Sequence, residues 1–262
     1  MPVKKVIFAG GGTGGHIYPA LAIATELKRR YSDVEIIFVG TERGLEKTLV
    51  PQAGYPLRII RVKGFNRKLS LDTFSSIKQM ILGGIDSLAI LKMEKPDLVI
   101  GTGGYVSGPV IFFASLLRIP TIIHEQNVIP GITNRILSRF VNKVAISFPE
   151  SSKYLPKSKI VLTGNPVRTE IADGDRLEAL KAFGLTTNIP VVLSFGGSQG
   201  AKRLNEAIAE VVGKISNNPK FQLIHVTGPK QYDSFMQLLE NKGIDLNRIG
   251  HIIIRPYIYE MQ

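Results

Sequence analysis

Three glycine-rich segments, each behind an apolar β-branched run and ahead of a helix-forming stretch, fix the kind of fold open to this chain. They are Gly10-Gly11-Gly12-Thr13-Gly14-Gly15-His16, Gly101-Thr102-Gly103-Gly104-Tyr105 and Gly196-Gly197-Ser198-Gln199-Gly200. A strand, a glycine turn and a helix N-terminus make a βα unit whose bare amides can cradle phosphate. One such turn needs no ligand to explain it, because glycine serves any tight strand-to-helix turn. Three of them, spread over two halves of the sequence, point to two βαβ halves facing a shared anionic ligand.

The remaining pattern agrees. Val6–Ala9, Ile36–Val39, Leu57–Val62, Leu98–Ile100, Thr121–Ile123 and Val144–Ile146 read as short buried strands. Between them the sequence predicts helices near 17–30, 43–52, 71–93, 108–118 and 131–140. A second series follows, with strands Val191–Phe195, Gln222–Val226 and Ile252–Ile254 and helices near 202–216 and 230–242. Near-continuous apolar strands alternating with helices predict an α/β protein with doubly wound parallel sheets. The turn at Gly164-Asn165-Pro166-Val167 divides the series, giving expected domains of 1–164 and 165–262. The second has 97 residues, short for an α/β domain, and the sequence ends at the entry to a further element, so it is expected to be incomplete.

Charge and composition narrow the setting. Residues 1–165 hold 22 Lys/Arg against 11 Asp/Glu, whereas residues 166–262 hold 11 against 10. A basic N-terminal half implies an acidic partner: nucleic acid, anionic lipid or a phosphorylated substrate. The absence of cysteine excludes disulfides and thiolate metal sites. Met1 to Phe8 enters a strand directly and no apolar run reaches membrane-spanning length, so a cytoplasmic protein, soluble or peripheral to a membrane, is expected. Within residues 63–93, Lys63, Arg67, Lys68 and Lys78 accompany Phe65, Leu69, Phe74, Ile77, Met80, Ile81, Leu82 and Ile85. That stretch reads either as a docking face for an anionic membrane or as core.

Several residues are candidates for chemistry. His16 follows Gly15 at a helix start, where the dipole disfavours imidazolium and favours a neutral imidazole able to act as a base; a solvent-facing cap is the alternative. The formal G-x-G-x-x-G of the first loop lacks an acid at the end of the second strand, which makes a dinucleotide site a poor match. Pro109 is placed to start a helix after the second loop. His124-Glu125-Gln126-Asn127 ends an apolar strand, at the sheet edge where α/β proteins bind ligands. Ser198 caps a helix, donates to a phosphate, or both. Arg168 clamps a diphosphate or forms an interdomain ion pair. The histidines show no metal-ligand spacing.

Gly11 to Ala20, Gly103-Gly104-Tyr105-Val106-Ser107-Gly108-Pro109, His124 to Asn127, Gly164 to Arg168 and Gly196 to Gly200 together resemble the MurG family, from the first strand to the last residue. The resemblance implies a GT-B fold of two Rossmann-like domains with a cleft between them, the second truncated here. It implies an inverting UDP-GlcNAc:lipid I N-acetylglucosaminyltransferase of peptidoglycan synthesis and cell wall biogenesis, tied to cell shape and division, without metal or cofactor. It also implies a peripheral protein on the cytoplasmic face of the membrane, with UDP-GlcNAc, lipid I and anionic lipid as partners and no nucleic acid. By the same resemblance Thr13, Gly14, Gly15, Asn127, Arg168, Ser198 and Ile258 fall on donor-binding positions, Ile258 through its backbone to uracil. His16 falls on the proposed base, and Gly103, Gly104, Tyr105 and Glu125 lie toward the acceptor. The family's next segment, with a further glycine loop, a ribose-binding acid and a glutamine near the sugar, is not in this sequence. Two other readings remain: a non-catalytic remnant that binds lipid, and another lipid-directed GT-B transferase such as a diacylglycerol glucosyltransferase.

Overall fold

The computed structural model describes residues 3–63, 72–167, 171, 174–197, 200–216 and 220–258, apart from the side chains of 72–78 and 247. The chain divides into two compact units, Met1–Arg168 and Thr169–Gln262.

In the first unit, strands β1 (Lys5–Gly10), β2 (Glu35–Gly40), β3 (Leu57–Ile59), β4 (Leu98–Gly103), β5 (Thr121–Glu125), β6 (Lys143–Ile146) and β7 (Ile160–Leu162) form one parallel sheet. Its order is β3-β2-β1-β4-β5-β6-β7. Helices α1 (Gly14–Arg30), α2 (Glu46–Gln52), α3 (Asp72–Glu94), α4 (Gly104–Leu116) and α5 (Ile132–Leu137) cover its two faces. Alternation along each strand assigns the residues to faces. Val6, Phe8, Ile36 and Phe38 pack with Leu21, Ala24 and Val50. Ile7, Ala9, Ile37 and Val39 pack with Val106, Val110 and Leu137 on the other side. Phe8 and Phe38, in register on β1 and β2, stack with centroids 5.1 Å apart. Central strands buried on both faces must be apolar nearly throughout, which is why KVIFAG and EIIFVG form β1 and β2.

The second unit holds β8 (Val191–Phe195), β9 (Gln222–Val226) and β10 (Ile252–Arg255), parallel and in the order β10-β9-β8. Helices α6 (Arg176–Ala182), α7 (Lys202–Ile215) and α8 (Tyr232–Asn241) accompany them. Ala209, Val212, Leu223, Phe235, Leu239, Ile252 and Ile254 make its main core.

Three sequence expectations change. The predicted strand Leu57–Val62 ends at Ile59, and the chain leaves the sheet there. Strand β4 runs on to Gly103 and α4 starts at Gly104, so the second glycine segment is a direct strand-to-helix junction instead of a loop. Pro109 therefore lies inside α4 and does not open it. Two elements had no sequence expectation: β7, and α6, which Asp175 caps by accepting from the amides of Leu177 and Glu178 at 2.6 and 3.1 Å.

Candidate active site

At the carboxyl edge of the seven-stranded sheet, the ends of β1, β4 and β5 lie side by side. The first loop leaves β1 through Gly12, whose φ of +89° suits only glycine, and a Cβ there would come within 2.9 Å of the Tyr105 ring. The Gly12 amide donates to Glu46 Oε2 at 3.0 Å. Glu46 is fully buried, and its Oε1 accepts from the Thr41 amide at 2.9 Å and hydroxyl at 2.8 Å. The first amide of the supposed phosphate cradle is thus already engaged by a carboxylate. Thr13, extended at φ −134°, begins α1 with no side-chain cap, and its carbonyl accepts from the amides of His16 and Ile17. The amides of Gly14 and Gly15 have no intrahelical acceptor, and they form the electropositive end of α1.

His16 is half-buried, with Nδ1 3.0 Å from the Thr102 carbonyl oxygen. A carbonyl can only accept, so Nδ1 carries a proton, and in the neutral ring the lone pair is on Nε2. The Thr102 hydroxyl returns a bond to the His16 carbonyl at 2.8 Å, so the two residues are joined twice. Gly103 and Gly104, at φ +100° and +79°, let the β4–α4 junction lie against this histidine. A Cβ on Gly103 would sit 2.8 Å from His16 Nδ1, and one on Gly104 would collide with the Gly11 carbonyl. Ser107 is buried beneath the junction and accepts from the Gly103 amide at 3.0 Å. Tyr105 is half-buried, with its hydroxyl 3.4 Å from Thr41 Oγ1, so it also supports the first loop.

From β5, Gln126 Nε2 donates to the same Thr102 carbonyl at 2.8 Å. Glu125 is buried and accepts from four groups of its own loop: the Asn127 amide and Nδ2, the Gly131 amide, and Asn134 Nδ2, at 2.9 to 3.1 Å. Four donors around one buried carboxylate shape the 126–131 turn and leave Asn127 exposed at its start. His124 is buried, and its Nε2 donates to the Gly164 carbonyl at 3.1 Å. Burial holds its pKa below the ordinary histidine value.

Arg168 lies outside the described residues, as do Ser198 and Gln199 in the second unit. The flanks of their loop are ordered by glycine geometry: Gly197 and Gly200 have φ +77° and +73°, and a Cβ on Gly200 would strike the Thr227 carbonyl. Beneath them, buried His225 donates through Nε2 to Asn205 Oδ1 at 3.2 Å, and Asn205 Nδ2 reaches the Thr227 carbonyl at 3.0 Å. Burial lowers the His225 pKa as well. Ile258 packs against the small cluster of Leu180, Leu185 and Ile224.

The structure thus gathers His16, Thr13, Gly14, Gly15, Gly103, Gly104 and Tyr105 around one junction, with Glu125 and Asn127 on the adjoining strand end. No sequence signal marks Thr102 or Gln126 as partners of His16, nor Glu46 as the holder of the first loop. Among the described residues, no three His, Asp or Glu side chains cluster as a metal site, and no helix is long and apolar enough to cross a membrane.

The expected membrane stretch is described only in part. Arg67 and Lys68 fall outside the described residues and the Lys78 side chain is not described, while Lys63, Met80, Ile81 and Ile85 are exposed. A second exposed apolar group, without a sequence expectation, lies on α4 and α5 and just beyond: Phe112, Leu116, Ile132, Ile136 and Phe140. Phe112 and Phe140 meet edge to face at 5.5 Å, and Arg135, Arg139 and Lys153 line the adjoining cleft with Ile132 and Ile136.

Comparison with known proteins adds the following. The glycosyltransferase family 28 N-terminal domain matches residues 6–146 and the family 28 C-terminal domain matches 191–262. The UDP-N-acetylglucosamine--N-acetylmuramyl-(pentapeptide) pyrophosphoryl-undecaprenol N-acetylglucosamine transferase of Desulforamulus reducens is 50% identical over 258 residues, 98% of this chain and 69% of that protein. The transferase of the same name from Acetivibrio thermocellus is 50% identical over 259 residues, with the same coverage. The crystal structure of Acinetobacter baumannii MurG superposes with a TM-score of 0.65 at 29% identity, covering 98% of this chain and 68% of that one. A UDP-GlcNAc 2-epimerase from Neisseria meningitidis, at 17% identity and a TM-score of 0.63, shares the fold alone. The two parallel sheets are therefore those of the GT-B architecture.

Proposed function

Because the chain belongs to glycosyltransferase family 28, we propose that it moves N-acetylglucosamine from UDP-GlcNAc to the 4-hydroxyl of the muramyl sugar in undecaprenyl-pyrophosphoryl-MurNAc-pentapeptide. The observation that carries the mechanism is the bond from His16 Nδ1 to the Thr102 carbonyl, which in the neutral imidazole puts the lone pair on Nε2 at the head of α1. The acceptor hydroxyl oxygen forms a bond to the anomeric carbon from the face opposite the nucleotide. The bond from that carbon to the UDP oxygen breaks, UDP leaves with the electron pair, and the hydroxyl proton passes to His16 Nε2. General-base help of this kind is worth about 10²–10⁴ in rate. Charge growing on the diphosphate is met by amide donors and a guanidinium; Thr13, Gly14, Gly15, Asn127, Arg168, Ser198 and Ile258 are assigned to the donor. The unit of residues 1–164 takes the acceptor, with Gly103, Gly104, Tyr105 and Glu125 on that side, and residues 165–262 take the nucleotide.

The exposed apolar side chains of α4 and α5, beside Arg135, Arg139 and Lys153, support docking of the first unit on an anionic membrane at the cytoplasmic face. Labelled UDP-GlcNAc and a lipid I analogue test the reaction. His16→Ala is expected to lower turnover by about 10²-fold or more while donor affinity stays within about twofold. Unchanged turnover removes His16 as the base, and transfer to diacylglycerol in place of the lipid I analogue overturns the substrate assignment.

A further inference from the structure

Gln126 belongs to the His124–Asn127 segment, yet the reaction as derived gives it no task. Its side chain makes one bond and leaves one unmade. Nε2 donates to the Thr102 carbonyl at 2.8 Å, while Oε1 is buried and has no partner among the described residues. Turning the amide over would set Oε1 against a carbonyl oxygen, two acceptors face to face, so the orientation is fixed. A buried acceptor without a partner costs stability, and an apolar side chain of the same size would avoid that cost. What the amide does accomplish lies at its other end.

That end is the oxygen that holds His16. The Thr102 carbonyl accepts from His16 Nδ1 at 3.0 Å and from Gln126 Nε2 at 2.8 Å, which uses both of its lone pairs. With the second lone pair engaged, the peptide plane after Thr102 cannot rotate without breaking a bond to β5. The first lone pair therefore stays aimed at the imidazole. We infer that Gln126 is a positioning residue: by holding the Thr102 carbonyl, it keeps His16 in the Nδ1–H tautomer, with the Nε2 lone pair outward.

The inference rests on His16 being the base, but its test does not use activity. Histidine-selective ¹⁵N NMR of the 262-residue chain reads the tautomer directly, and thermal unfolding reads stability. Gln126→Met keeps the length and removes both the donor and the unpaired oxygen. The expected result is a wild-type His16 almost wholly in the Nδ1–H form. In Q126M the ratio of Nδ1–H to Nε2–H falls about fivefold, the size of one net hydrogen bond, and Tm is unchanged or higher. An unchanged tautomer ratio in Q126M overturns the inference, as does a loss of Tm without a tautomer change. If Q126M does not fold, Gln126→Asn serves instead: it keeps the amide but is too short to reach the carbonyl, and the same two outcomes decide. A normal His16→Ala turnover would remove the base and leave the tautomer result standing, so the two failures are distinguishable.

Discussion

At the scale of single residues, the buried carboxylate of Glu46 shapes the sheet edge. Glu46 gathers the Gly12 amide and both donors of Thr41, and Gly11, Gly40 and Gly44 all lie where a Cβ would strike its side chain. Glu46→Ala removes the acceptor of two backbone amides at once. At about 1–3 kcal/mol for each orphaned buried donor, it is expected to lose roughly 2–5 kcal/mol, read by urea unfolding. A loss below about 1 kcal/mol would mean the loop finds other acceptors. None of this was legible in the sequence, where Glu46 reads as a solvated helix residue; the only hint is the pair of glycines at 40 and 44. His16 was legible because a histidine directly after a glycine turn is unusual. Its holder Thr102 was not, because the bond uses a backbone carbonyl that any residue could supply.

At the scale of elements, the strands were readable because parallel central strands must be apolar nearly throughout on both faces, and β1 and β2 are. Helix starts were less so. Helices α1 and α4 both open on glycine without a side-chain cap and carry proline inside, which conceals where the helix begins. The same close approach makes Gly104 irreplaceable: Ala there faces a collision with the Gly11 carbonyl at φ +79°. Gly104→Ala should cost about 2–4 kcal/mol and abolish transfer, checked by thermal unfolding and the lipid I assay. A second element-level prediction concerns the two histidines that tie strand ends, His124 to Gly164 and His225 to Asn205. Burial depresses both pKa values in the fold, so on acidification the unfolded chain takes up protons first. Stability is therefore full above the ordinary value of about 6.5 and is lost as pH falls from there through the lower folded-state values. Urea midpoints from pH 8 to 5 should drop below 6.5, and His124→Gln with His225→Gln should flatten that drop; an equal drop in the double variant refutes it.

At the scale of the whole molecule, charge and exposed side chains distinguish the two units. The first is basic and exposes Phe112, Leu116, Ile132, Ile136 and Phe140 near Arg135, Arg139 and Lys153. Reversing those three cations to Glu should weaken binding to phosphatidylglycerol vesicles by at least about 10²-fold, at about 1 kcal/mol for each cation. Unchanged sedimentation with vesicles would return the face to another use. The sequence had directed attention to residues 63–93 because their cations and apolar residues are contiguous; α4 and α5 combine theirs only once folded. The Thr102 oxygen is approached by residue 16 from one side and residue 126 from the other. During synthesis on the ribosome the histidine can have both neighbours only after nearly half the chain has emerged, and before any of the second unit exists. Both contacts of the Thr102 oxygen can thus form from the first unit's residues alone.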